Sequence, residues 1–189
     1  CKEIQELLGK KYKVKLDEDG NLIAYYTLKP KQELEIEAVG TARLHGKQIN
    51  QNFGGDFKEI PSKILKNYTR AQKYWETESP YIQKIAQELQ SGNQNIVKSA
   101  QKIYDFIGAN LTYDFEAASK GPVERRGAEA VASQKNSWTC MQFTDLFIAT
   151  ARAMSIPARE INGYAFAFDD KNKPISINLE SGDFLHSWA

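Results

Sequence analysis

Between Cys140 and Met154 apolar residues recur with the period of a helix, and both ends of the run are punctuated. Phe143, Leu146, Phe147, Thr150, Ala151 and Met154 fall at i, i+3, i+4, i+7, i+8 and i+11, which places them on one helical face. Upstream, a polar approach, Asn136-Ser137-Trp138-Thr139, leads into Thr139-Cys140-Met141-Gln142, which fits a capping box with Thr at N-cap and Gln at N3. Downstream, Ser155-Ile156-Pro157 ends the helix. Such a face has to be covered, so the chain must fold around this helix and leave its N-terminus at whatever site exists. Cys140 then sits in the first turn, where unpaired backbone N–H groups and the helix dipole favour a thiolate. His186, further along, is the candidate imidazole partner. The residue by itself has a second reading. Cysteine is among the most often buried residues, and a thiol on an apolar helix also serves as a small core side chain.

The flanking pattern predicts an α+β chain. Residues 3–10 read as a short helix. Tyr12 to Leu16 alternates, Asp19-Gly20 marks a turn, Leu22 to Leu28 is rich in Ile and Tyr, and Leu34 to Val39 alternates again. This predicts a β-rich N-terminal accessory unit, residues 1–60, with one wet face. Residues 46–62 read as a linking loop. Ser79-Pro80 starts a helix with Ser at N-cap and Pro at N1. A second helix is expected from Asn95 to Asn110, with Ile96, Ala100, Ile103, Ile107 and Leu111 as its stripe. Residues 113–127 read as loop and Ala128 to Ser133 as a short helical piece. After Pro157, residues 160–168 and 184–189 read as strands, joined by the polar loop Asp169-Asp170-Lys171-Asn172-Lys173-Pro174.

Composition excludes some function classes. Lys+Arg 25 against Asp+Glu 24 leaves +1, so no global field favours nucleic acid. No apolar run approaches the roughly 18 residues of a membrane helix, so no transmembrane segment is expected. The two histidines are His45 and His186, and no Cys or His cluster has ligand spacing, so no metal and no cofactor are expected. His45 reads as a surface residue. Asp169-Asp170-Lys171-Asn172 lacks the signature of a calcium loop and reads as a solvated turn. A disulfide between the two cysteines would consume the thiol that looks poised to react.

The segment from Cys140 to Arg159, with Ser155-Ile156-Pro157-Ala158-Arg159 and then Gly163-Tyr164, closely resembles the transglutaminase-like core. Leu185-His186-Ser187-Trp188 is similar to that family's histidine motif. Ile103 to Ile107, Leu111-Thr112-Tyr113 and Arg125-Arg126-Gly127-Ala128 resemble its bacterial and archaeal branch. The resemblance spans roughly residues 75–189 and implies a papain-like fold, with the nucleophile helix packed on an antiparallel sheet, over residues 61–189. It implies Cys140 as the nucleophile that forms a thioester and His186 as general base, then acid. It also implies an Asp on the following strand as the third member, which places that residue beyond Ala189 and the core as truncated there. The Cys140 backbone N–H would supply part of an oxyanion hole, with Tyr113 and Trp138 as further candidates. Arg159 and Tyr164 are expected to be structural. Two departures stand out: relatives usually have Gly where this chain has Trp138, and Gly again where it has Ser155. Trp138 would then narrow or line the acyl site.

The expected activity is cysteine-dependent acyl transfer or hydrolysis on a Gln carboxamide or peptide amide, with a protein or peptide substrate. The alternative is a non-catalytic transglutaminase-like binding module. Mature bacterial lipoproteins begin with a lipid-bearing cysteine, so Cys1 carries the expectation of a lipid anchor and a cell-envelope location, beside that of an arbitrary start.

Overall fold

A computed structural model describes residues 12–36, 57–90, 95–120, 123–134, 136–166 and 183–189. Cys1, the helix expected at 3–10, His45 and the 169–174 loop lie outside the described residues. The chain divides into two compact units, Cys1–Gln48 and Ile49–Ala189.

In the first unit, β1 (Lys13–Leu16) pairs antiparallel with β2 (Leu22–Tyr25), Leu16 opposite Leu22. Asp17 builds the turn. One carboxylate oxygen accepts from the backbone N–H of Asp19 at 2.9 Å and of Asn21 at 2.7 Å, and the other accepts from the Asn21 amide at 2.9 Å. Gly20, at φ +85°, takes the left-handed position there. The alternation predicts one covered face, yet the side chains of both strands are exposed. Residues 34–36, the described part of the third alternating run, are not in a strand. A period of two qualifies a segment for a sheet, but a partner edge has to be present for its backbone groups to pair.

The second unit is built around the helix expected from the sequence. Its elements are α1 (Ser62–Tyr68), α2 (Pro80–Gln90), α3 (Ile96–Asn110), β3 (Thr112–Tyr113), α4 (Phe115–Ser119), α5 (Ala128–Ser133), β4 (Ser137–Trp138), α6 (Cys140–Ala153), β5 (Ile161–Phe166) and β6 (Asp183–Trp188). A 3-10 turn, Phe57–Glu59, and the start of α1 fall inside the expected linking loop. Helix α6 packs against α2, α3, α5 and β6. Pro80 opens α2 as read, but the Ser79 hydroxyl is buried without a hydrogen-bond partner and does not cap it. Asn95 caps α3, accepting from the Lys98 N–H at 3.0 Å. Ile82, Ile85 and Ala86 of α2 and Ile103 and Ile107 of α3 close on Leu146, Ala149 and Ala151 of α6 and on Met154 at its C-cap.

Enclosure of α6 on several sides buries more than the predicted stripe. Leu146, Thr150, Ala151 and Met154 are buried, but so are Asp145, Ile148, Ala149 and Arg152, while Phe143 and Phe147 are half-buried. Two charges inside an apolar helix therefore need partners. The Arg152 guanidinium donates to the Ala158 carbonyl at 2.7 and 2.9 Å, to the Arg70 carbonyl at 2.8 Å and to the Gln72 side chain at 2.7 Å, and it stacks on Trp75. This ties the end of α6 to the segment before α2.

The helix ends in a Schellman motif: Ile156 N–H to Ala151 O at 2.8 Å and Ser155 N–H to Arg152 O at 2.9 Å. Ser155 holds the left-handed position at φ +61°, where glycine is the usual occupant. Ser155→Gly relieves that strain, offset by the greater freedom of glycine in the unfolded chain. It is expected to raise stability by up to about 1 kcal/mol, read from the urea midpoint at constant m-value.

β5 and β6 pair antiparallel, Ile161 opposite Trp188 and Gly163 opposite His186. Within the expected 113–127 loop, Asp114 caps α4 through the Ala117 N–H at 2.8 Å. No described helix is long and apolar enough to cross a membrane.

Candidate active site

The N-terminus of α6 is closed by the predicted capping box: Gln142 Oε1 accepts from the Thr139 backbone N–H at 3.2 Å and from its hydroxyl at 2.6 Å. The Gln142 amide donates in turn to the Glu124 carbonyl at 3.0 Å. Cys140 is the first residue of the helix, half-buried, with a free thiol.

Tyr113 is brought to it by a two-residue parallel pairing. Thr112 lies opposite Ser137 and Tyr113 opposite Trp138, with the Asp114 N–H donating to the Trp138 carbonyl at 2.9 Å. Trp138 is two residues before Cys140, so this pairing carries Tyr113 to the start of α6. Its ring is held between Phe115 and Phe143, with centroids at 4.8 and 5.7 Å. The phenol lies beside Cys140. Burial, then the charge of the Cys140 sulfur and its hydrogen bond, push the phenol above its ordinary pKa, while the Cys140 N–H donating to its oxygen pulls the other way. The phenol is thus kept as a proton donor at neutral pH. Trp138 points elsewhere. It is 6% exposed and belongs to the hydrophobic core.

His186 is half-buried on β6, and burial lowers its imidazole below the ordinary value, which favours the neutral form that can accept a proton. Its ring meets the Trp188 ring edge-on at 4.8 Å. The strand is held to α6 beside it: Thr144, one turn on from Cys140 and on the same face, donates to the Ser187 carbonyl at 3.0 Å.

Around this lies an ion network that the sequence reading did not identify. Asp145, fully buried, accepts from the Trp75 indole N–H at 2.9 Å, from Arg125 Nε at 3.0 Å and from Arg125 Nη2. Arg125 Nη1 pairs with Glu160 at 3.0 Å, and the Ser187 hydroxyl donates to the other Glu160 oxygen at 2.9 Å. The guanidinium stacks on Tyr74 and Trp75, 4.5 and 5.6 Å from their centroids. Burial pushes Asp145 up, opposed by the guanidinium and the indole N–H. The signal in the sequence was Asp145 itself, a carboxylate within an apolar helical run, which demands a buried cation. Gly127, two residues after Arg125, sits at φ +85° and ψ 167°, and a side chain there would collide with the Glu76 carboxylate. Arg159 is exposed. Among the described residues no three His, Cys, Asp or Glu gather as a metal would require.

A sequence model of the transglutaminase-like superfamily matches residues 83–189, more than half of the chain. The chain belongs to the transglutaminase-like superfamily. The match contains α3, β3, the Arg125 segment, α6, β5 and β6, and so covers Tyr113, Cys140 and His186. The mixed helices and small sheets of the second unit are consistent with the α+β fold expected of that superfamily. Membership supports a general thiol-enzyme type for this transglutaminase-like chain. No curated protein and no solved structure matches it.

Proposed function

We propose that this transglutaminase-like chain is a thiol enzyme that transfers or hydrolyses acyl groups, with Cys140 as nucleophile and His186 as its proton carrier. The observation that carries the reading is the parallel pairing of Tyr113 with Trp138, which sets the phenol beside Cys140 in the first turn of α6. His186 takes the thiol proton as sulfur attacks the carbonyl carbon of a Gln carboxamide or peptide amide. Negative charge collects on the carbonyl oxygen. The Cys140 N–H and the Tyr113 hydroxyl are the two donors that a substrate oxygen would take up there. The imidazolium returns the proton to the departing ammonia or amine, leaving a thioester. An amine or water then attacks the thioester by the same steps reversed. Helix α6 packed against the antiparallel β5–β6 pair is consistent with a papain-like arrangement for this chemistry.

The test is the rate of Cys140 alkylation against pH, read by mass spectrometry in the parent protein and in His186→Ala, with glutathione as internal standard. The parent is expected to react faster than glutathione below neutrality. Loss of His186 should slow that reaction by at least about tenfold, the equivalent of one pH unit. A Cys140 that reacts like glutathione in both proteins would sink the enzyme reading and leave the non-catalytic module.

A further inference from the structure

Among the described residues β6 pairs with β5 alone, and a two-stranded ribbon draws its stability from what it packs against. Its register also decides the chemistry. Successive strand residues face opposite sides, so a slip of one residue would put His186 where Ser187 is and turn the imidazole away. Ser187 is 6% exposed and is tied at two points. Its carbonyl accepts from Thr144 of α6 at 3.0 Å. Its hydroxyl donates to Glu160 at 2.9 Å, and Glu160 pairs with Arg125, which pairs with Asp145 of the same helix. One tie is direct and the other runs through three charged side chains, yet both start on neighbouring residues of the nucleophile helix and end on the residue beside the histidine.

We propose that Ser187 is a positioning residue, a clamp that locks the register of β6 against α6 and so sets His186 relative to Cys140. This rests on the thiol–imidazole reading above. The clamp explains why a buried Asp is joined to a partly buried Arg and Glu beside an apolar helix. Two hydrogen bonds on one residue select a single register, whereas apolar contacts tolerate sliding.

The test compares Thr144→Val, Thr144→Ser and Ser187→Ala with the parent protein and His186→Ala, all by the pH profile of Cys140 alkylation. Thr144→Val keeps the shape of the side chain and removes one tie, Ser187→Ala removes the other, and Thr144→Ser keeps the hydroxyl while losing only a methyl. Thr144→Val and Ser187→Ala are expected to slow alkylation below neutrality about ten- to a hundredfold, toward the His186→Ala profile, with Thr144→Ser staying at the parent profile. If Thr144→Val and Ser187→Ala keep the parent profile while His186→Ala loses it, the clamp is overturned and the catalytic pair stands. A loss in Thr144→Ser equal to that in Thr144→Val also overturns it, because packing and not the hydrogen bond would then be responsible. A parent profile indifferent to His186→Ala overturns both.

Discussion

Arg125→Met is expected to destabilise the protein by about 3–5 kcal/mol. The guanidinium is the only cation that the described contacts place on Asp145, whose carboxylate is fully buried in α6. Methionine keeps most of the length and apolar bulk but leaves the carboxylate with the Trp75 indole N–H alone, and Glu160 with the Ser187 hydroxyl. An uncompensated buried charge, not the loss of attraction itself, carries the cost. Two consequences separate this from generic damage. Without the cation, burial raises Asp145 further, so the folded state binds a proton that the unfolded state releases at the same pH. The deficit should therefore shrink as the pH falls through the raised Asp145 pKa and grow as it rises. Adding Asp145→Leu to Arg125→Met should recover part of the loss, since a carboxylate that is absent needs no cation. Urea titrations at several pH values measure both. A deficit below about 1 kcal/mol at neutral pH would mean that the pair contributes no more than a surface ion pair.

Tyr113→Phe is expected to lower kcat for acyl transfer about 10²–10³-fold, the cost of removing one oxyanion donor. The ring is packed against Phe115 and Phe143, so the substitution removes an oxygen and leaves the packing in place. The hydroxyl acts where charge develops, so kcat should fall and KM should change little. The measurement is steady-state turnover on a Gln-containing peptide with a primary amine or water as acceptor. An unchanged kcat would assign the phenol a packing role and leave the Cys140 N–H as the donor within reach. A rise in KM alone would place the hydroxyl in substrate binding.

How much of this was legible in the sequence depends on how local each signal is. Helix α6 was readable because its period, its capping box and its terminating Pro157 all lie within twenty residues. The left-handed conformation of Ser155 came from the structure, the sequence having marked the position only as one where relatives usually have Gly. The strands bearing Gly163 and His186 were visible as apolar runs after Pro157. Asp145 was visible as a residue type but not as a member of a network, because its partners come from positions 75, 125 and 160, and no periodicity links them.

Local chemistry in the sequence determined a buried helix that begins at Cys140 and strand-forming segments ahead of and around His186. Tertiary structure alone decided the rest. A two-residue parallel pairing brings Tyr113 beside Cys140, and Trp138, expected from its departure from the family pattern to narrow or line the site, is buried in the core. Likewise, Thr144 and the Asp145–Arg125–Glu160 chain meet at Ser187 because α6 and β6 pack together, not because of any spacing between them. The physical reason is the range of the forces. Helix periodicity and capping act over a few residues along the chain, whereas hydrogen bonds and ion pairs between distant segments exist only after burial has brought those segments within about 3 Å.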